Sequence, residues 1–267
     1  MSRIGQTLEA LRSQQRTALV PFITAGDPHL DATVPALNAL VQGGADLLEL
    51  GVPFSDPEAD GPAIQASSER ALANGTGLRD VLDCVAEFRA GNDQTPVILM
   101  GYLNSVLAMG EGAFATAAAE AGVDGMIIVN LPPEESDSLR GALAKQGIDL
   151  ILLAAPTSSD ERLSAIDRAA TGFVYLVSLK GTTGADHISI GEVKQHLARL
   201  RARTRLPILV GFGIKDGPTA RALGKQADGV VVGAAIVSRM AALSADTDAI
   251  PETLRQFAHD LRQALDA

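Results

Sequence analysis

The chain has 267 residues, a formal net charge of −10, an apolar fraction of 46% and only 3% aromatic residues. This length fits one large α/β domain or two smaller ones, with a core filled by Leu, Val, Ile and Ala. The negative charge argues against a nucleic acid or an anionic membrane as the main partner. A single cysteine, Cys84, excludes an internal disulfide, and residues 1–16 lack the pattern of a signal peptide. Because no run approaches the roughly 20 apolar residues of a membrane span, we expect a cytoplasmic protein.

Short apolar runs alternate along the chain with segments of helical spacing. The runs, each about the length of a strand, are 18–23, 47–51, 96–101, 125–129, 150–153, 172–177, 207–211 and 229–233. The helical segments are 34–42, 63–73, 113–121, 134–146, 161–169, 191–203, 218–223 and 252–265. This alternation predicts a parallel sheet with right-handed crossovers.

Eight strand–helix units without a linker or a shift in composition predict one (β/α)8 TIM barrel, a fold of about 250 residues, over residues 1–267. A doubly wound open sheet is the alternative. It usually has fewer strands and a glycine fingerprint after the first one, where this chain has TAGDPHLD. An extra N-terminal helix, with Ile4, Leu8 and Leu11 on one face, is predicted to cap the bottom of the barrel.

The second predicted strand, LLELG, carries a carboxylate inside an apolar run. Because side chains alternate along a strand, Leu48 and Leu50 are expected to face the helices, and Glu49 to point into the barrel near its top. The active site of such a barrel lies at that end of the strands. Burial raises the pKa of a carboxyl group, which suits a general acid or base near neutral pH. The alternative is a structural glutamate bonded to backbone amides.

The loop after this strand adds Asp56, Glu58 and Asp60, and its prolines stiffen it. Asp60 stands directly before Gly61 and Pro62, where a helix is predicted to begin. It is therefore either a functional carboxylate or the N-cap of that helix. The other two carboxylates are unspecific, since any surface loop can be acidic.

Glycine-rich turns follow the last three predicted strands, at 180–184, 211–214 and 233–235. Turns after strands seven and eight, next to a short helix, commonly bind phosphate in barrels, which predicts a phosphate ester as the ligand. No lysine falls inside a strand run, which argues against a Schiff-base aldolase. The four histidines are scattered, which argues against a metal-dependent reaction. Acid–base catalysis by carboxylates is what these patterns favour.

The stretch ELGVPFSDPEADGPAIQ closely resembles the signature of the tryptophan synthase alpha subunit family. The resemblance continues through PFITAGDP, LMGYLN, PPEES, VYLVSLKGTTG and GFGI, and it covers nearly the whole chain. It implies a lyase of tryptophan biosynthesis. The family cleaves indole-3-glycerol phosphate to indole and glyceraldehyde 3-phosphate by a retro-aldol step.

The resemblance also implies roles for particular residues. Glu49 would take the glycerol hydroxyl proton and deliver a proton to the leaving indole carbon, while Asp60 would accept a hydrogen bond from the indole N–H. Thr183 would orient Asp60. The residues around the indole would be Phe22, Tyr102, Tyr175 and Phe212. The residues offering amides to the phosphate would be Gly184, Gly213, Gly233 and Ala234.

A partner is implied as well, a beta subunit that holds pyridoxal phosphate and consumes the released indole within a heterotetramer. Pro53, Asp56 and Pro57 would face it, and this chain would itself hold neither a cofactor nor a metal. The chain departs from the commonest family pattern at four positions, which are Glu58, Ser105, Asn130 and Ala234. None of these departures removes either candidate catalytic carboxylate.

Three alternatives stay open at this point. The first is a stand-alone lyase that releases free indole without a partner. The second is a scaffold subunit that only activates its partner. The third is an unrelated isomerase on a phosphate-binding barrel.

Overall fold

The structure is a computed structural model that describes residues 2–177, 190–211 and 213–267. Within these ranges, eight parallel strands close into a barrel in chain order. They are β1 (Ala18–Thr24), β2 (Leu48–Gly51), β3 (Val97–Gly101), β4 (Gly125–Ile128), β5 (Asp149–Ala154), β6 (Val174–Val177), β7 (Ile208–Gly211) and β8 (Gly229–Val232). Every predicted strand is present, with ends that move by no more than two residues, so the TIM barrel prediction is confirmed.

Helices surround the barrel. Those in the described ranges are α1 (Arg3–Ser13), α2 (Thr33–Gln42), α3 (Pro62–Ala73), α4 (Leu78–Gly91), α5 (Leu103–Met109), α6 (Glu111–Ala121), α7 (Asp137–Lys145), α8 (Asp160–Ala169), α9 (Ile190–Arg201), α10 (Gly217–Gly224), α11 (Ala234–Ala242) and α12 (Ile250–Asp266). Short 3-10 turns lie at Leu30–Ala32, Pro133–Glu135 and Thr247–Ala249. Helix α5 was not predicted, because its seven residues are too few to show a helical period.

The two faces of β2 contribute to different layers of the core, as the alternation predicted. Leu48 and Leu50 are fully buried in the layer between barrel and helices. Leu47 instead packs inside the barrel with residues such as Ile98. Glu49 lies beside Ile98 of β3 in the strand register, two residues beyond Leu47, and therefore faces the interior near the top.

Helix α1 closes the bottom of the barrel. Ile4, Leu8 and Leu11 are buried and belong to the interior cluster rather than to the layer under the helices. At the first residue of β4, a Cβ on Gly125 would lie 2.7 Å from Cδ1 of both Ile4 and Ile151, so the glycine lets the helix pack closely against the barrel interior. The predicted N-terminal cap is thus confirmed, and it leaves the opposite end of the barrel as the open one.

Truncating this cap should destabilise the whole barrel. Leu8 is only 4% exposed, so Leu8→Ala is expected to lower the free energy of unfolding by about 2–5 kcal/mol, through lost burial and an unfilled cavity. The matched control is Leu72→Ala, the same truncation at a helix position that is 36% exposed. It should cost less than about 1 kcal/mol. Urea unfolding curves of the two variants check this, and equal losses would contradict a plugging role for α1.

Candidate active site

Glu49 is a carboxyl group enclosed by apolar side chains. It lies on β2, is 2% exposed, and pairs in the strand register with Phe22 of β1. Burial, and then the nearby charge of Asp60, raise the pKa of Glu49 to about 8. Among the described residues, no side chain or backbone amide forms a hydrogen bond with the Glu49 carboxyl group. This argues against the alternative of a structural glutamate held by backbone amides. A protonated carboxylic acid at neutral pH results.

Asp60 approaches the same space from the β2–α3 loop (residues 52–61). The N-cap of α3 is Gly61, so Asp60 does not act as the helix cap that the sequence left open. Its carboxylate instead accepts a hydrogen bond of 3.2 Å from the Tyr102 hydroxyl. Burial raises the pKa of Asp60 to about 6, while the Tyr102 hydrogen bond opposes this increase. Near neutral pH, Asp60 is therefore ionised while Glu49 is protonated.

Tyr102 links Asp60 to the rest of the loop. It follows β3 and is buried; its hydroxyl accepts a hydrogen bond of 3.1 Å from the Ala59 amide. Its ring stacks on Phe54 at a centroid distance of 4.9 Å. The same hydroxyl therefore both accepts from the loop backbone and donates to the Asp60 carboxylate, which fixes its direction.

Two aromatic rings at the site, those of Phe22 and Tyr175, each pack against a glycine of the neighbouring strand. A Cβ on Gly51 would lie 2.6 Å from Cζ of Phe22, and one on Gly211 would overlap the Tyr175 ring. Tyr175 is buried on β6, and burial together with the Glu49 and Asp60 carboxylates raises the pKa of its hydroxyl. The structure thus brings both predicted rings to the carboxyl pair, as the sequence predicted for Phe22 and Tyr175.

The predicted phosphate turns lie at the same end of the barrel. Gly213 has a positive φ of 63°, a conformation that favours glycine. Gly233 is the N-cap of α11, and a Cβ there would be 3.5 Å from the Phe22 ring. Helix α11 starts at Ala234, and the first amides of a helix lack intrahelical partners and attract anions. The predicted residues Thr183, Gly184 and Phe212 lie outside the described residues.

The predicted partner-facing residues spread over the loop. Pro53 is buried, Asp56 is exposed and Pro57 is partly buried. Glu58, one of the departures from the family pattern, is exposed beside them, and its amide donates to the Asp56 carbonyl at 2.8 Å. The loop thus presents an acidic edge to solvent while its far end, Asp60, is buried.

Two other residues that depart from the family pattern, Asn130 and Ser105, lie at the start of α5. Asn130 is exposed, and its Oδ1 accepts a hydrogen bond of 2.8 Å from the Leu103 amide, the first of that helix. Its Nδ2 donates to Asn104 at 3.4 Å. The Ser105 amide donates to the Tyr102 carbonyl at 3.2 Å. Both residues therefore support the helix that begins directly after Tyr102.

Sequence reasoning missed several residues that border the site. Met100, Leu153 and Val177 are half-buried against the interior cluster at the upper ends of their strands. The alternation that placed Glu49 could have found them, since each lies two positions beyond an inward residue. Phe54, stacked on Tyr102, carries no such signal because it lies in a loop.

Two further kinds of feature are absent from the part of the chain that the structure describes. Within the ranges given above, no three His, Cys, Asp or Glu residues lie together in a way that could hold a metal ion. In that same part of the chain, no helix is both long enough and apolar enough to cross a membrane.

Comparison with known proteins gives one consistent result. The sequence profile described as Tryptophan synthase alpha chain matches residues 8–266. The chain is 51% identical to the tryptophan synthase alpha chain of Marinobacter nauticus, covering 100% of this chain and 99% of that one. It is 52% identical to that of Ralstonia nicotianae, with 100% of both chains covered.

Solved structures agree. Tryptophan synthase subunit alpha from Legionella pneumophila is similar with a TM-score of 0.94 and 43% identity, over 100% of this chain and 99% of that chain. A tryptophan synthase structure from Mycobacterium tuberculosis is similar with a TM-score of 0.90 and 36% identity, over 100% of this chain and 99% of that chain. The likeness therefore covers the whole barrel and is not limited to the carboxylate motif.

The hydrogen bond from Tyr102 should be measurable at Asp60. Tyr102→Phe removes a donor that favours the ionised carboxylate, so the pKa of Asp60 is expected to rise above about 6. The carboxyl carbon shift of Asp60, followed by NMR against pH, measures this. Tyr175→Phe is the control, because Tyr175 gives Asp60 no hydrogen bond within the described residues. A pKa that stays the same in Tyr102→Phe would contradict the assignment.

Proposed function

The chain belongs to the tryptophan synthase alpha chain family, whose lyase reaction converts indole-3-glycerol phosphate to indole and glyceraldehyde 3-phosphate, and from this premise we propose that Glu49 and Asp60 perform its acid–base chemistry. One observation carries the proposal. Two buried carboxyl groups at the open end of the barrel have pKa values of about 8 and about 6, so one holds a proton while the other is ionised. Pairs whose environments separate their pKa values in this way are typical of acid–base sites, where the protonated group can transfer its proton while the ionised one stabilises positive charge.

The protonation states fit the order of the reaction. The Glu49 carboxyl group first delivers its proton to indole C3, and the positive charge that develops on the indole nitrogen is stabilised by the Asp60 carboxylate, which accepts the N–H. Glu49, now ionised, takes the proton of the adjacent glycerol hydroxyl. The bond between C3 and the glycerol carbon then breaks, its electron pair returns to the ring, and the aldehyde leaves. Glu49 ends protonated, ready for another turnover.

The surroundings support this placement of the substrate. Phe22 and Tyr175 would hold the indole between them, with Tyr102 nearby and Phe212 completing the wall. Thr183 would orient Asp60. The amides of Gly184, Gly213, Gly233 and Ala234 would bind the phosphate, and the position of Gly233, where an added Cβ would lie 3.5 Å from the Phe22 ring, supports a phosphate turn close to that ring. Ala234 lacks the hydroxyl that a serine offers, so only its backbone contributes.

We further propose that residues 1–267 act as one domain in the cytoplasm, and that a beta subunit binds the edge formed by Pro53, Asp56 and Pro57. That subunit would hold the pyridoxal phosphate and consume indole within a heterotetramer, and this chain would need no cofactor of its own. The loop supports the proposal, because its exposed acidic edge joins Asp60 through Ala59 and Tyr102. Full-length similarity to alpha chains favours this function over the stand-alone lyase, the scaffold and the isomerase.

Removing the proton-transferring group of Glu49 should strongly lower kcat. Glu49→Gln keeps the size of the side chain but cannot exchange a proton, so kcat should fall by about 10²–10⁴-fold. Indole release from indole-3-glycerol phosphate is measured for the chain alone and with a tryptophan synthase beta subunit.

The cleavage rate of the wild-type chain should be low when it is alone and strongly raised by the partner. Fast cleavage without a partner would instead indicate the stand-alone lyase.

The activity should be bell-shaped in pH. Asp60 must be ionised and Glu49 protonated, so kcat/KM, which reports the free enzyme, should rise through about pH 6 and fall through about pH 8. Asp60→Asn should remove the acid limb. It should also move the basic limb to lower pH, because the charge of Asp60 helps to raise the pKa of Glu49. A basic limb that does not move would contradict the coupling of the two groups.

A further inference from the structure

The β2–α3 loop has few bonds of its own with which to hold Asp60 in place. Asp60 is buried, yet Ser55, Asp56, Glu58 and Ala59 before it are exposed and contribute little packing. Two short turns exist, one of them closed by the Asp60 amide donating to the Pro57 carbonyl at 3.0 Å. The direction of the Asp60 carboxylate therefore depends on groups outside the loop.

One of those groups is Gln65, in the first turns of α3. Its Nε2 donates to the Pro57 carbonyl at 3.2 Å and to the Asp60 carbonyl at 2.9 Å. The two carbonyls belong to the first and last residues of the final loop turn, so a single amide group fastens both of its ends. Two carbonyl acceptors require a group with two N–H donors, which fixes the amide orientation.

The helix that carries Gln65 is itself held rigidly against β1. Ser67 and Thr24, both buried, share a hydrogen bond of 2.6 Å. Arg70 forms a two-pronged ion pair with the fully buried Asp27, at 2.6 and 3.0 Å. Because α3 is anchored in this way, Gln65 is presented from a fixed position rather than from a second flexible segment.

We propose that Gln65 is a positioning residue: by binding the Pro57 and Asp60 carbonyls it ties the 57–60 turn to α3 and so aims the Asp60 carboxylate at the substrate ring. This inference rests on the function proposed above for Asp60. Gln65 acts on the loop backbone from one side, while Tyr102 acts on the carboxylate from the other. Loss of the amide removes the tie between the turn and α3, and it misplaces the carboxylate without removing it.

The test compares Gln65→Met and Gln65→Glu in the full chain with a beta subunit. Met keeps the length without a donor, and Glu places a negative charge against two carbonyls. Since small misplacements are costly in an active site, kcat should fall about 10-fold in Gln65→Met and further in Gln65→Glu. KM for indole-3-glycerol phosphate and the thermal midpoint should stay near wild type, because the phosphate turns are elsewhere. Gln42→Met, the same change at an exposed end of α2, is the matched control.

A second measurement separates positioning from a general structural effect. The Gln65→Met change is also made in an Asp60→Asn background, where the cleavage rate is measured in a single turnover. There it should lower the rate almost no further, because the carboxylate that Gln65 positions is absent. An equal loss in both backgrounds would overturn the inference, as would an unchanged kcat or a loss that falls on KM and the thermal midpoint. If Asp60→Asn itself leaves kcat unchanged, the role proposed for Asp60 fails as well. If only Gln65→Met is silent, that role stands and the positioning inference alone is wrong.

Discussion

Burial of the Glu49 carboxyl group is the constraint on which the rest of the site depends. An ionised carboxylate in an apolar interior costs several kcal/mol, and the group avoids that cost by keeping its proton up to a pKa of about 8. The barrel supplies apolar surroundings, since inward side chains of neighbouring strands, such as Ile98, converge there. The walls close only because Gly51 and Gly211 leave room for the Phe22 and Tyr175 rings. The two glycines, the two aromatic rings and the Glu49 carboxyl group therefore pack together, and each depends on the others.

Asp60 is held in place by hydrogen bonds to its loop rather than by packing in a strand. It is not locked in a strand but reaches the site at the end of a loop, where Tyr102 donates to its carboxylate and Gln65 binds its carbonyl. Burial raises the pKa of Asp60 less far, to about 6, than that of Glu49, to about 8, and the Tyr102 hydrogen bond favours ionisation of Asp60. Opposite protonation states thus arise from two modes of support, an apolar strand for the protonated Glu49 and a polar loop for the ionised Asp60.

Much of this arrangement could be predicted from the sequence because periodicity is local. Strand alternation placed Leu48 and Leu50 outside and Glu49 inside, and the apolar face of α1 predicted the bottom plug. Asp60 could not be decided in this way, since a helix cap and a catalytic carboxylate look alike before Gly61-Pro62. The Gly61 N-cap, together with the contact to Tyr102, 42 residues along the chain, excludes the role of a cap, while the catalytic role of Asp60 stays a prediction. The resemblance to a family supplied the reaction, which no pattern of apolar residues contains.

The residues that the sequence left unseen share one physical property. Gln65 and Phe54 act through partners that only the fold brings near, and a single residue on a helix surface or in a loop has no periodicity that reveals its partner. Their positions nevertheless follow a common logic. Each supports the loop rather than the strand that carries Glu49. Because strand and loop are fixed by separate contacts, the position of Asp60 depends on the bonds of the loop, while the barrel alone holds Glu49.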